Sequence, residues 1–187
     1  MSSLGKVLAN RERPVLHGMS EIRAFFRTNT QPIFFVGATA FNLLGVDRWV
    51  RNFRYIAYYD SWDGAHPRVF TPLEKPYVEF TSAEEINNYL LRDKEVQSYI
   101  AGRTKPGQRP MVAMVFFDEE TETICQELGY PLILPPAELR RRLDSKIVTT
   151  QMGNEAGAPS VPNLLTDAVE SWGQLSQIAE LNGLGAD

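Results

Sequence analysis

The chain has 187 residues, of which 43% are hydrophobic and 22% charged, with a net charge of −4. This is the make-up of a globular protein long enough for one domain, or one domain and part of a second. The acidic balance gives no footprint for nucleic acid or an anionic membrane, and no apolar run is long enough to cross a bilayer.

Residues 1–31 read as an N-terminal extension in which Ser20–Phe26 forms a short helix with Ser20 as N-cap, ended before Pro32. The start carries no secretory signal, since only Val7, Leu8 and Ala9 follow Lys6 before polar residues resume. Ile33-Phe34-Phe35-Val36 is a continuous apolar run closed by Gly37, the pattern of a strand buried on both faces. A helix is predicted over Leu43–Phe53 and a second strand over Tyr55–Tyr59. The Pro- and Gly-bearing stretch Asp60–Pro76 is expected to be loop with an extended piece at Val69-Phe70. Ser82 and Glu85 form a capping box opening a helix to about Ala101, with Asp93-Lys94 interrupting its stripe. Met111–Phe117 reads as the clearest strand.

Thr121, Ile124, Cys125 and Leu128 mark a helix face ended by Gly129. Leu132–Leu134 is a fourth strand and Ala137–Leu143 a short helix. Alternating strands and helices predict an α/β, Rossmann-like, mostly parallel sheet over 32–143. Beyond 143 a helix is expected over Ser145–Ala156, with Asp144 as N-cap and Val148, Met152 and Ala156 as its apolar stripe. A last helix is expected over Ala168–Leu181, burying Trp172, Leu175, Ile178 and Ala179.

Candidate chemistry is sparse. No dinucleotide-binding or P-loop glycine fingerprint, zinc-protease motif or paired-cysteine metal spacing is present. His17 and His66 lack ligand partners in sequence. The single cysteine, Cys125, reads as a buried thiol, and a lone cysteine fits a reducing cytoplasm. The loop from Gly37 to Gly45 reads as a tight strand-to-helix turn rather than a phosphate cradle. Asp60-Ser61-Trp62-Asp63-Gly64 follows a strand end, where open α/β sheets place ligands, but is favoured as a turn held by Asx-type hydrogen bonds. Asp118-Glu119-Glu120 suits a first helical turn, and Arg140-Arg141-Arg142 a last one.

The run Arg142–Pro162, RLDSKIVTTQMGNEAGAPSVP, resembles the opening of an ATP-grasp domain of the biotin carboxylase type. There a lysine at a helix start, matched by Lys146, precedes an A-G-x-P-x-x-P ending, matched by Ala156–Pro162. The preceding region, through LILPP, resembles the family's pre-ATP-grasp domain in element order, and the resemblance covers about residues 32–185. It implies a pre-ATP-grasp domain over 32–143 and an incomplete ATP-grasp domain over 144–187. It also implies a ligase that makes an acyl or carboxy phosphate from MgATP, with bicarbonate or another carboxylate as small-molecule substrate. Biotin, on a biotinylated carrier protein, would be the acceptor, and a homo-oligomer is compatible with this reading.

By the resemblance, Lys146 contacts the ATP phosphates; the plain alternative is an exposed first-turn lysine. Where the family carries an arginine-glycine-glutamate turn after the first strand, this chain has Gly37-Ala38-Thr39-Ala40, which leaves the substrate open. The sibling reading is a carboxylate–amine ligase. A non-enzymatic Rossmann-like binding module is the alternative from another class, and the missing glycine fingerprint argues against a nucleotide-dependent oxidoreductase. The family's second phosphate-contacting lysine, glycine-rich flap and magnesium carboxylates are expected downstream of residue 187, and residues such as Trp172 are then short of packing partners. These 187 residues alone are therefore expected to show no ATP-dependent carboxylation; carboxylated product from the purified chain would contradict this.

Overall fold

A computed structural model describes residues 15–184 apart from 76, 78, 160 and 167. The first part of the expected extension, residues 1–14, and the final 185–187 lie outside the described residues. The chain divides into two compact units, Met1–Leu134 and Pro135–Asp187.

The first unit is an α/β structure around four parallel strands: β1 (Ile33–Gly37), β2 (Phe53–Ala57), β3 (Val69–Phe70) and β4 (Met111–Ala113), in spatial order β3-β2-β1-β4. β1 aligns Ile33 with Phe53 on one side and with Met111 on the other. The chain steps outward from β1 to β3 and then crosses back to place β4 beside β1, so the connections diverge between β1 and β4.

Side chains alternate across a strand, and each face has its own cover. Ile33, Phe35, Phe53, Tyr55 and Ala113 form one core cluster, packed by Leu43, Val46 and Val50 from the β1–β2 connection and by Trp62. Phe34, Val36, Ile56 and Val112 are fully buried as well. Phe34 meets the Tyr99 ring edge-on at 6.2 Å, and Tyr99 stacks on Phe70 at 4.2 Å. Tyr99 belongs to α3 (Lys94–Arg103), which follows α2 (Ala83–Arg92).

Several expectations need correction. The helix α1 (Met19–Arg27) starts ahead of Ser20 and has Gly18 at its N-cap with no side-chain bond. The helix expected over Leu43–Phe53 is two 3₁₀ turns, Phe41–Leu43 and Val46–Arg48, because Gly45 (φ 94°) breaks it and Asn52 (φ 64°) turns the chain into β2. The long helix after Ser82 is two helices: Asp93 takes an extended conformation and caps α3 by accepting from Val96 N–H at 3.0 Å. The Ser82–Glu85 box is only half made. Ser82 accepts from Glu85 N–H, but Glu85 bonds the N–H and hydroxyl of Thr81.

β4 is shorter than the run MVAMVFF, since pairing with β1 stops at Ala113 opposite Phe35 and Val115 and Phe116 emerge half-exposed. Leu132–Leu134 contributes one bridge, Val112 with Leu132, and not a strand; the fourth strand is the Val69-Phe70 piece.

α4 (Glu119–Glu127) carries the expected buried Thr121, Ile124 and Cys125. It ends at Gly129 (φ 70°), where Gly129 and Tyr130 N–H groups close back on Gln126 and Cys125 carbonyls at 3.2 and 2.8 Å. A polar knot ties it to α2. Thr121 Oγ1 donates to Asn88 Oδ1 at 2.6 Å, while Asp118 accepts from Thr121 N–H at 2.8 Å and from Asn88 Nδ2 at 3.1 Å.

The second unit holds α5 (Ala137–Asp144), α6 (Lys146–Glu155) and α7 (Trp172–Leu181). Ser145, not Asp144, caps α6, its Oγ accepting from Val148 N–H. α7 starts at Trp172 behind the cap Ser171, later than predicted. The apolar faces predicted for α6 and α7 are not buried: Leu175 and Met152 are exposed, Val148 and Ile178 are half-buried, and Trp172, expected to be short of packing partners, is 80% exposed. Among the described residues, three short helices without a sheet offer too little apolar surface to close a core.

The Asp118 knot sets a pH dependence. Desolvation raises its carboxyl, but hydrogen bonds from Thr121 and Asn88 outweigh it and leave Asp118 below the usual carboxylate range. A depressed native value stabilises the fold above the unfolded value of about 3.9 and is lost as pH falls through the native one. Urea unfolding from pH 7 to 2 is expected to show an acid loss of stability that is smaller in Asp118→Asn.

Candidate functional site

The diverging connections leave a gap beside β1 at the carboxyl edge of the sheet, the place where open α/β sheets receive ligands. β1 runs on to Gly37 while its pairing with β4 ends at Phe35. A crevice of about 190 Å³ opens there, lined by Gly37, Thr39 and Asn42 from the β1 end, Asn87 from α2, and Val115 and Phe116 after β4.

Gly37 suits the spot because a Cβ there would lie 3.1 Å from both the Phe35 ring and the Thr39 carbonyl. The loop beyond is held to β2 by Tyr58 and Tyr59 N–H groups donating to the Gly37 and Ala38 carbonyls at 3.2 and 2.9 Å.

Asn87 is the chemically distinctive wall. It is 1% exposed, and its Nδ2 donates to the Phe116 carbonyl at 2.6 Å. Its Oδ1 is buried with no hydrogen-bond partner among the described residues, a condition worth about 1–3 kcal/mol of destabilisation. Turning the amide over would set Oδ1 against the Phe116 carbonyl, so an acceptor is the group left over. Among the described residues the lining carries no titratable side chain. The crevice therefore fits binding of a group with an N–H or O–H donor rather than proton transfer. Asn87 was not singled out from the sequence; the available signal was an asparagine pair, Asn87-Asn88, inside the apolar stripe of Ile86 and Leu90.

Of the stretches the sequence singled out, the loop from Gly37 to Gly45 contributes Gly37, Thr39 and Asn42 to this lining. Lys146 is the exposed first residue of α6, beside the cap Ser145. α6 ends as the A-G-x-P pattern predicts, with Gly157 at φ 65° and Ala158 N–H closing on the Gly153 carbonyl at 2.9 Å. Asp60 sits past the end of β2 and accepts from Trp62 N–H at 3.1 Å. Bonds from Gly64 and Trp62 N–H groups hold its carboxyl below the usual range, so it shapes the turn as the Asx reading expects. Trp62 packs on the core cluster and against Phe41 and His66. His66 Nδ1 accepts from Arg68 N–H at 3.2 Å.

Cys125 is buried, and desolvation followed by the charge of Glu122 pushes its thiol up to about 11, which leaves it unreactive. Among the described residues no group of three His, Cys, Asp or Glu side chains is placed to hold a metal ion, and no helix is long and apolar enough to cross a membrane.

Compared with family models, with curated proteins and with solved structures, the chain matches none. Gly37→Ala tests the crevice. It forces the Phe35 ring and Thr39 backbone to give way and is expected to cost about 1–3 kcal/mol in chemical denaturation; an unchanged midpoint would show that the β1 end has room for a side chain.

Proposed function

We propose that this chain belongs to an ATP-dependent ligase of the ATP-grasp type, biotin carboxylase-like, that forms an acyl or carboxy phosphate from MgATP. The observation that carries this reading is the Lys146-to-Pro162 run. Its lysine heads a helix and its glycine, Gly157, takes the left-handed conformation that ends it. A helix N-terminus presents free N–H groups and a partial positive charge, and Lys146 adds a full one, which favours a phosphate.

The parallel sheet that precedes the run supports the same reading at a coarser level. In this proposal the phosphoryl chemistry needs Mg²⁺ together with the family's further charged residues, and Lys146 contributes to nucleotide binding. The acceptor is biotin on a carrier in the specific version, and an amine in the sibling one.

The test is ADP release from MgATP by the native gene product, whose intact mass is measured alongside. Release is expected to depend on bicarbonate or another small carboxylate, and Lys146→Gln is expected to lower kcat/KM for ATP by about tenfold or more, or roughly 1.4 kcal/mol. No nucleotide-dependent turnover under any carboxylate would replace the ligase by a non-enzymatic binding module.

A further inference from the structure

A second concavity, of about 420 Å³, lies at the opposite end of the sheet, where β2 begins, and five arginines line it: Arg27, Arg48, Arg51, Arg54 and Arg68. They come from the end of α1, the β1–β2 connection, the start of β2 and the residue before β3. Asp47 is the acidic residue in the lining, and it is already engaged. Its carboxylate accepts from the Tyr55 hydroxyl at 3.0 Å and faces Arg68 Nε at 3.6 Å, while Arg68 Nη1 donates to its carbonyl at 2.8 Å. The side chains of Arg27, Arg48, Arg51 and Arg54 have no ion-pair partner among the described residues.

Gathering uncompensated cations in one concavity is unfavourable by itself. Their repulsion acts within a Debye length of about 10 Å at 0.1 M salt, and a low-dielectric wall focuses the field. Here it happens in a chain whose net charge is −4. The backbone beneath is held firmly: Arg51 N–H donates to the Phe26 carbonyl at 3.1 Å, Asn29 Nδ2 to the Arg51 carbonyl at 2.7 Å, and Asn52 Nδ2 to the Asn29 carbonyl at 3.2 Å. The volume lies within the ~300–1,000 Å³ of small-molecule sites. Guanidinium forks match phosphate oxygens two at a time, and a monoanion would leave most of this charge unmatched. The nearby Trp49 ring is already covered by the Arg23 guanidinium at 3.8 Å, so recognition falls on the phosphates.

We propose that this arginine cleft binds a small molecule carrying two or more phosphate groups. The site is separate from the crevice at the end of β1, and it does not rest on the ligase reading. Net charge concealed it, although Arg48, Arg51 and Arg54 recur at three-residue steps in DRWVRNFR.

Titration calorimetry of the full chain with tripolyphosphate, without magnesium and at low salt, tests it. Saturable binding is expected. The double substitution Arg48→Gln, Arg51→Gln is expected to weaken it by about tenfold or more, and ~0.2 M salt to weaken it severalfold. ATP binding like tripolyphosphate, with adenosine silent, supports phosphate recognition. Both arginines are exposed, and an unchanged melting curve of the double variant separates lost binding from lost fold. No binding by the unaltered chain at millimolar tripolyphosphate overturns the proposal. So does binding indifferent to the arginine pair, or binding of a single-stranded oligonucleotide but not of tripolyphosphate.

Discussion

The first unit depends on β1 being apolar on both faces. Ile33 and Phe35 are buried against the β1–β2 connection, Phe34 against Tyr99 of α3, and each neighbour in the sheet takes its register from this strand. A parallel strand between two others has no face to give to water, so every segment that packs around it is obliged to bring apolar cover. Val46 and Val50 do so from a stretch that forms two 3₁₀ turns and no α-helix. Burial of side chains of this size is worth about 1.5–3 kcal/mol each, which outweighs the modest propensity that would otherwise have drawn residues 43–53 into a helix.

Polar groups then decide where elements stop. Asp93 ends one helix and caps the next, and Asp118 caps α4 while reaching Asn88 on α2. Such knots are costly to leave half-made in a buried setting, and one member of the same helix is left in that state. Asn88 is satisfied, whereas its neighbour Asn87 keeps an orphan oxygen beside the crevice at the end of β1. A buried acceptor without a partner next to a gap in a parallel sheet is a physical reason to look there for a ligand.

Charge behaves similarly. The chain is acidic overall, yet the edge where β2 begins is cationic because the β1–β2 connection, the end of α1 and the residue before β3 converge on it. Electrostatic consequences follow from local density, since potentials at a surface fall off within about a Debye length. The carboxyl and amino edges of one small sheet thus carry two concavities of opposite chemistry, one lined by neutral groups with a spare acceptor and the other by guanidinium donors.

What could be read in the sequence were features set by a residue's own chemistry or by short-range periodicity. The run Ile33–Val36, the face Thr121-Ile124-Cys125, the left-handed stops at Gly129 and Gly157, and the Asp60 turn are of this kind, because neighbours in the chain suffice to specify them. The parallel α/β class followed from their alternation. Ambiguous segments were decided only in three dimensions. Val69-Phe70 became the fourth strand and Leu132–Leu134 did not, since pairing depends on which edge of the sheet is open. Met111–Phe117 kept its pairing with β1 only as far as Ala113, and Met152 stayed exposed because periodicity gives a helix an apolar face without giving it a layer to pack on. Asn87 and the arginine cleft belong to that second group, since residues distant in the chain meet there and no local pattern records the meeting.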